Sequence, residues 1–283
     1  MNDLRGKAAI VGIAETRHRR SWPGRSMLGL CAEVIAQAIA DAGLKREDID
    51  GLMTFGNTFY PSSIAEYAGI RPVHFAQASG LMGASSGVAL AVAANVVTTG
   101  MANYVLFVGG GARDPENPEP FGGAPADFAS EFAAPYGPAV AANNNYGMLY
   151  SRHMYEYGTK PEQMAQIAVN QRFNAAKNEN AALRDPITVE DVLSSRYINE
   201  PLHILESVMP VAGAIAYIVT TAERARTLKH KPVYVLGAGV SQGYQNSWMT
   251  PNFTTTPVAY SAPQAYQMAG YNAHDMEFAE FYD

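Results

Sequence analysis

Four small residues, Gly83, Ala84, Ser85 and Ser86, open the stretch GASSGVALAVAANVVTTG that runs to Gly100. Small residues at a helix entrance let backbone N–H groups approach a ligand closely, and a helix N-terminus favours developing negative charge. The chemistry such an entrance can support is the holding of an anionic oxygen. A nucleophilic Ser85 or Ser86 is an alternative that needs a base beside it, which no local pattern supplies. The same residues equally suit a core helix with a serine-rich cap.

Other chemistry-bearing sets are weaker. Gly237, Gly239 and Gly243 follow an apolar strand, but their spacing is G-x-G-x-x-x-G. Trp248 and Pro251 then stand where a dinucleotide fold needs a helix to receive the pyrophosphate. No P-loop is present. The 6 histidines are scattered, and His153 with Glu156 is an isolated helical pair, so no metal site is expected. Cys31 shares helical spacing with Leu28, Ile35 and Ile39, which makes it a small core residue rather than a nucleophile.

Several elements must position the Gly83 entrance. Ala8–Ile13 reads as a buried strand, Ser26–Ala42 as an amphipathic helix stopped by Gly43, and Gly51–Phe55 as a second strand. Pro61 starts a short helix that reaches Gly69. The apolar run Val88–Val97 predicts a helix packed on all sides, and Tyr104–Val108 a buried strand ending in Gly109, Gly110 and Gly111. Strands alternating with helices predict an α/β fold. From Arg113 to Asn145 the chain is rich in Pro, Gly, Ala and Asn, an excursion able to cover a site. A helix restarts at Thr159, with Glu162 completing a capping box, and another follows Thr188. Tyr217–Thr220 is a strand, Ala222–Leu228 a charged helix and Val233–Leu236 a strand.

The chain then repeats an earlier pattern. Strand, helix and Gly43 followed by Asp48 has its counterpart in strand, helix and Gly270 followed by Asp275, at the same interval of five residues. Two similar halves are the natural source of such a repeat. An apolar strand is expected at Phe278–Tyr282.

The totals narrow the function classes. A chain of 283 residues, 48% of them hydrophobic, can bury a large core. Its net charge of −6 and lack of a dense Lys/Arg run argue against nucleic acid. The one basic cluster, Arg17, His18, Arg19 and Arg20, suits a solvated loop or the phosphates of a small molecule such as coenzyme A. A single cysteine and no signal peptide or apolar membrane span predict a cytoplasmic protein.

These segments, taken in order, resemble the thiolase superfamily and within it the sterol-carrier-type thiolases and their cysteine-less relatives. The resemblance rests on AAIVGIAET, IADAGLKREDIDGLMT, IAEYAGIRP, the Gly83–Gly100 stretch, RHMYEYGTKPEQMAQIAV, DPITVEDVL, INEPLHILES, AIAYIVTTAERA and DMEFAEFYD. It implies a five-layered α/β/α/β/α fold of two similar halves, the second incomplete in this sequence. The implied boundaries are a first-half core at 1–112, an inserted loop domain at 113–210, a return to the first-half core at 211–228 and the start of the second half at 229–283. A homodimer is also implied.

Three departures shape the functional expectation. The family's nucleophilic cysteine falls at Gly83, or at Ser85 if the loop is shifted, and neither is a thiol. Cysteine-less relatives with a small-residue turn here include coenzyme A thioester retro-aldolases that act with a small OB-fold partner protein. The terminal EFYD resembles the segment in which the family places a thioester-holding His or Asn, so Tyr282 takes that position and becomes a candidate for hydrogen bonding or proton transfer. The family's Gly-His-Pro segment is absent, which predicts a piece of a longer protein or a protein completed by another chain. The resemblance therefore implies an acyl-coenzyme A binding protein that cleaves a C–C bond. Tyr282 and Ser85 are its candidate catalytic residues, and Gly83, Ala84 and Ser86 bind the substrate. Coenzyme A thioester is the substrate, and no metal or redox cofactor is implied. A non-catalytic acyl-coenzyme A or lipid-binding scaffold subunit and an acetyltransferase are the alternatives.

Overall fold

A computed structural model describes residues 4–56, 60–70, 73–111, 143–243 and 250–281. The chain divides into two compact units, one made of 1–112, 212–241 and 259–283, the other of 113–211 and 242–258.

The first unit is built on a mixed sheet. Its strands are β1 (Ala8–Glu15), β2 (Gly51–Phe55), β3 (Phe75–Ser79), β4 (Tyr104–Gly111), β7 (Gly213–Thr221) and β8 (Val233–Val235), in the order β3-β2-β4-β7-β1-β8. β2 pairs in parallel with β3 and β4, whereas β7 runs antiparallel to both β4 and β1. β1 to β4 therefore all end at one edge of the sheet, where β7 begins.

Helix α1 (Met27–Ala42) carries Leu30, Cys31, Val34, Ile35, Ala38 and Ile39 on its buried stripe. It is capped at one end by the Ser26 side chain and stopped at the other by Gly43 in the left-handed region. With α2 (Pro61–Ala68) it covers one face of the sheet. The other face packs against α3 (Ser85–Thr98), around Met53, Val105, Phe107 and Val219. Burying a Phe107-sized side chain contributes on the order of 3 kcal/mol. The expectation that α3 is packed on all sides is corrected. Ala89, Ala93, Ala94, Val96 and Val97 are buried against the sheet, but Val88, Leu90 and Val92 are half-buried and Gly87 is exposed.

The repeat is visible in the backbone. α8 (Val258–Ala269) ends at Gly270 with φ 68°, as α1 ends at Gly43 with φ 71°. Each glycine is followed by a short turn whose aspartate accepts a backbone N–H, Lys45 N–H to Asp48 at 2.7 Å and Asn272 N–H to Asp275 at 2.8 Å. β8 pairs antiparallel with β1, on the side of it opposite β7.

The second unit contains α4 (Asn143–Tyr157), α5 (Pro161–Ala175), α6 (Val189–Ser194) and the hairpin of β5 (Tyr197–Asn199) and β6 (Leu202–His203). The start expected at Thr188 is found, with that side chain capping α6, whereas the start of α5 is displaced by one residue. The α5 box closes between Lys160 N–H and Gln163 Oε1 at 2.7 Å rather than between Thr159 and Glu162. The charged helix after β7 is only one turn, α7 (Ala222–Ala225). Residues Phe278–Phe281 form no strand and are exposed, which corrects the terminal strand. Tyr282 lies outside the described residues. Among the described residues no helix is long and apolar enough to cross a membrane.

Candidate active site

The N-terminus of α3 stands at the edge where β1 to β4 end, the edge at which open α/β sheets hold their ligands. A short turn, Met82–Ala84, leads into it. Three side chains fix this turn. The Leu81 N–H donates to Ser85 Oγ at 2.8 Å, the Ser79 hydroxyl donates to the Ser85 carbonyl at 3.0 Å, and the Tyr217 hydroxyl donates to the Ser86 carbonyl at 2.6 Å. Tyr217 stacks on Phe107, with ring centroids 4.9 Å apart. Burial pushes its phenol well above the ordinary range, so it stays protonated and keeps donating.

This geometry redistributes the expected roles. Ser85 is fully buried, with its hydroxyl engaged at the turn, and is placed as a lock rather than as an attacking group. Ala84 is exposed, but its N–H donates to the Leu81 carbonyl at 3.1 Å and so is not directed at a ligand. Gly83 and Ser86 are half-buried beside it. No side chain caps the first turn of α3 and no acidic residue lies within it. The donors at this end belong to that uncapped turn, where Gly87 is exposed and a Cβ built on it meets no described atom within 4 Å.

Cys31 is far from this chemistry in kind and in place. It is buried in the α1 layer, on the face of the sheet opposite α3, and desolvation pushes its thiol up to about 12. At neutral pH it is a thiol, not a thiolate nucleophile.

Two further groups escaped sequence reasoning. Tyr217 looked like an ordinary strand residue, and its one signal was a polar tip inside an apolar run. Asp50, just before β2, is buried and accepts from the Asn103 N–H at 2.8 Å, the Asn103 side-chain amide at 2.8 Å and the Tyr104 N–H at 2.8 Å. It thereby fixes the start of β4 against β2.

The second unit holds an open cleft lined by residues that include Met148, Arg152, Tyr155, Asn199, Asn252 and Phe253. Thr254 donates to Glu156 at 2.9 Å and Arg152 pairs with the same carboxylate. These hydrogen bonds, that of Thr254 first, hold the Glu156 carboxyl below its ordinary range.

No protein-family model matches the chain. It is 35% identical over 299 residues to a steroid side-chain-cleaving aldolase of Thermomonospora curvata, a match covering 100% of this chain and 75% of that protein. It is 32% identical over 299 residues to the 17-hydroxy-3-oxo-4-pregnene-20-carboxyl-CoA lyase of Mycobacterium tuberculosis, covering 99% of this chain and 76% of that one. Among solved structures, the Ltp2-ChsH2(DUF35) aldolase superposes with a TM-score of 0.87 at 34% identity, covering 96% of this chain and 72% of that chain. A monomeric SCP2-thiolase-like protein of Mycobacterium smegmatis shares the fold with a TM-score of 0.76 at 21% identity, covering 95% of this chain and 58% of that chain.

Proposed function

The chain belongs to the thiolase superfamily, on the SCP2-thiolase-like branch that includes steroid side-chain-cleaving aldolases, and we propose that it cleaves a β-hydroxyacyl-coenzyme A thioester by a retro-aldol reaction. The observation that carries this reading is an uncapped helix N-terminus at the ligand edge of a thiolase-like sheet, with the one cysteine buried on the opposite face. A thiolase needs an acyl-cysteine at this helix, whereas a retro-aldolase needs a place for an enolate oxygen and a base.

In the proposed reaction a base removes the β-hydroxyl proton, the C–O bond becomes a carbonyl, and the Cα–Cβ bond breaks. Its electron pair passes to Cα and is delocalised onto the thioester oxygen as an enolate. The first-turn N–H groups of α3 around Ser86 and Gly87, next to Gly83, hold that oxygen. A proton then adds to Cα, leaving a ketone or aldehyde and a shortened acyl-coenzyme A. Bonds, protons and electrons balance without a metal or redox cofactor. Ser79, Ser85 and Tyr217 act as positioning residues, because they anchor the turn and do not face the ligand.

Tyr282 is proposed as the base, a role supported by its place in the EFYD segment. Tyr282→Phe is expected to lower the kcat for cleavage of a β-hydroxyacyl-coenzyme A about 100-fold or more while KM changes little. Unchanged turnover would remove Tyr282 from the mechanism.

Exposed Arg17, Arg19 and Arg20 beyond β1 suit the coenzyme's phosphates. A homodimer is supported by β3, an edge strand without charged residues whose Ala76, Gln77 and Ala78 are exposed. A small OB-fold partner is supported by the resemblance to the Ltp2-ChsH2(DUF35) aldolase. The steroid or lipid character of the acyl group rests on the names of the two related enzymes.

A further inference from the structure

The open cleft of the second unit lies between α4, the turn after β5 and residues 250–253, all within that unit. Gly147 lets the turn come this close to α4, since a Cβ there would collide with the Asn199 amide. The amide, serine and arginine donors of the lining are engaged inside the unit. Ser151 donates to the Gly147 carbonyl at 2.9 Å, Asn199 Nδ2 to the Asn143 carbonyl at 3.1 Å, Asn252 Nδ2 to Thr255 Oγ1 at 2.9 Å and Arg152 Nε to Glu156 at 2.6 Å. The Arg152 charge is thereby matched by a carboxylate that Thr254 also holds.

Two acceptors of the lining are left over. The Glu200 carboxylate and Asn199 Oδ1 have no partner among the described residues. Beside them Met148 is exposed and Phe253 half-buried. Tyr155 is 82% exposed although the Arg152 guanidinium lies 5.7 Å from its ring centre, and so keeps ring surface for a second cation. A free carboxylate, a free amide oxygen and an open aromatic ring call for a planar group that only donates, which is a guanidinium. The phosphates of a coenzyme meet like charge here.

The charge of the whole unit points the same way. Residues 113–211 and 242–258 carry the chain's entire net charge of −6, the acidic and basic residues of the first unit being in balance. The chain's own segment 113–142 has the wrong sign to fill the cleft, with Asp114, Glu116, Glu119, Asp127 and Glu131 against Arg113 alone. A volume of about 980 Å³ stands at the top of the range for small-molecule sites, roughly 300–1,000 Å³, and an open cleft of that size suits an extended chain.

We propose that this cleft docks an arginine-bearing segment of a partner polypeptide. The guanidinium pairs with Glu200 and stacks on Tyr155, a backbone N–H of the segment donates to Asn199 Oδ1, and apolar side chains rest on Met148 and Phe253. The inference stands apart from the retro-aldol reading, because none of these residues belongs to the machinery at α3.

Fluorescence anisotropy of the full chain tests it with a labelled nonapeptide of alternating arginine and alanine, and with the same peptide carrying uncharged citrulline for arginine. The arginine peptide is expected to bind about ten-fold more tightly or better. Glu200→Gln and Tyr155→Ala are each expected to weaken it about three- to five-fold. Glu179→Gln, the same change of charge at an exposed residue outside the lining, should leave it unchanged. Equal binding of the two peptides, binding of neither, or an equal loss in Glu179→Gln overturns the proposal. Spermine is the competing arm. If this free polyamine binds as tightly as the arginine peptide and loses as much in Glu200→Gln, the cleft is a site for small amines and the polypeptide reading falls. Turnover of a β-hydroxyacyl-coenzyme A is expected to be the same in all three variants, so either reading can fail without the other.

Discussion

Gly87→Asp is expected to make the protein more stable and nearly inactive. The substitution removes a helix-interior glycine and puts a carboxylate into the first turn of α3, which holds no acidic residue. Propensity and the favourable placement of a negative charge at a helix N-terminus together contribute about 1 kcal/mol. The new side chain enters open space, since no described atom lies within 4 Å of a Cβ at Gly87. The same carboxylate stands where the enolate oxygen must develop and repels it. Loss of a single oxyanion donor typically costs about 100-fold to 1,000-fold in rate, so cleavage should fall by about 100-fold or more. Thermal melting and turnover measured together separate the two effects. A variant that is more stable and fully active would show that the helix start is a structural cap with no part in the chemistry.

Asp50→Ala is expected to have the largest effect on stability. It leaves the Asn103 N–H, the Asn103 side-chain amide and the Tyr104 N–H without their acceptor at a site only partly open to water. Each hydrogen bond to a charged group contributes about 1.5–3 kcal/mol, and stranded donors carry a desolvation cost. The expected loss is about 4 kcal/mol in urea-induced unfolding, a large share of the ~5–15 kcal/mol typical of a folded domain. Asp50→Asn, which keeps the shape and one acceptor oxygen, should lose about half as much. A melting transition unchanged in Asp50→Ala would mean that β4 is held in register by the sheet ladder alone.

Local signals were legible where they depend on neighbouring residues. Ser26 and Gly43 bracket α1 because a serine side chain and a left-handed glycine each act within a few residues. The apolar stripe of α1 likewise placed Cys31 in the core. The edge strand β3, FAQAS, was missed because it has one large apolar residue and an exposed middle, so it shows no strand period. The reverse error came at Phe278–Phe281, whose spacing looks like a strand but which pairs with no described segment.

The candidate site was half legible. Its location at the start of α3 followed from the small-residue entrance and the family pattern. The roles of Ser85 and Ala84 did not, because they depend on how a turn closes on Leu81. Tyr217 and Asp50 act across 131 and 53 residues of chain, and no local periodicity records such contacts.

The most direct measurement of the central claim is product and protein mass spectrometry after mixing the chain, with no free coenzyme A, with a β-hydroxyacyl-coenzyme A. The account predicts one ketone or aldehyde for each shortened acyl-coenzyme A formed and a protein of unchanged mass, including at buried Cys31. Cleavage that waits for added coenzyme A, or an acyl group found on Cys31, would contradict it.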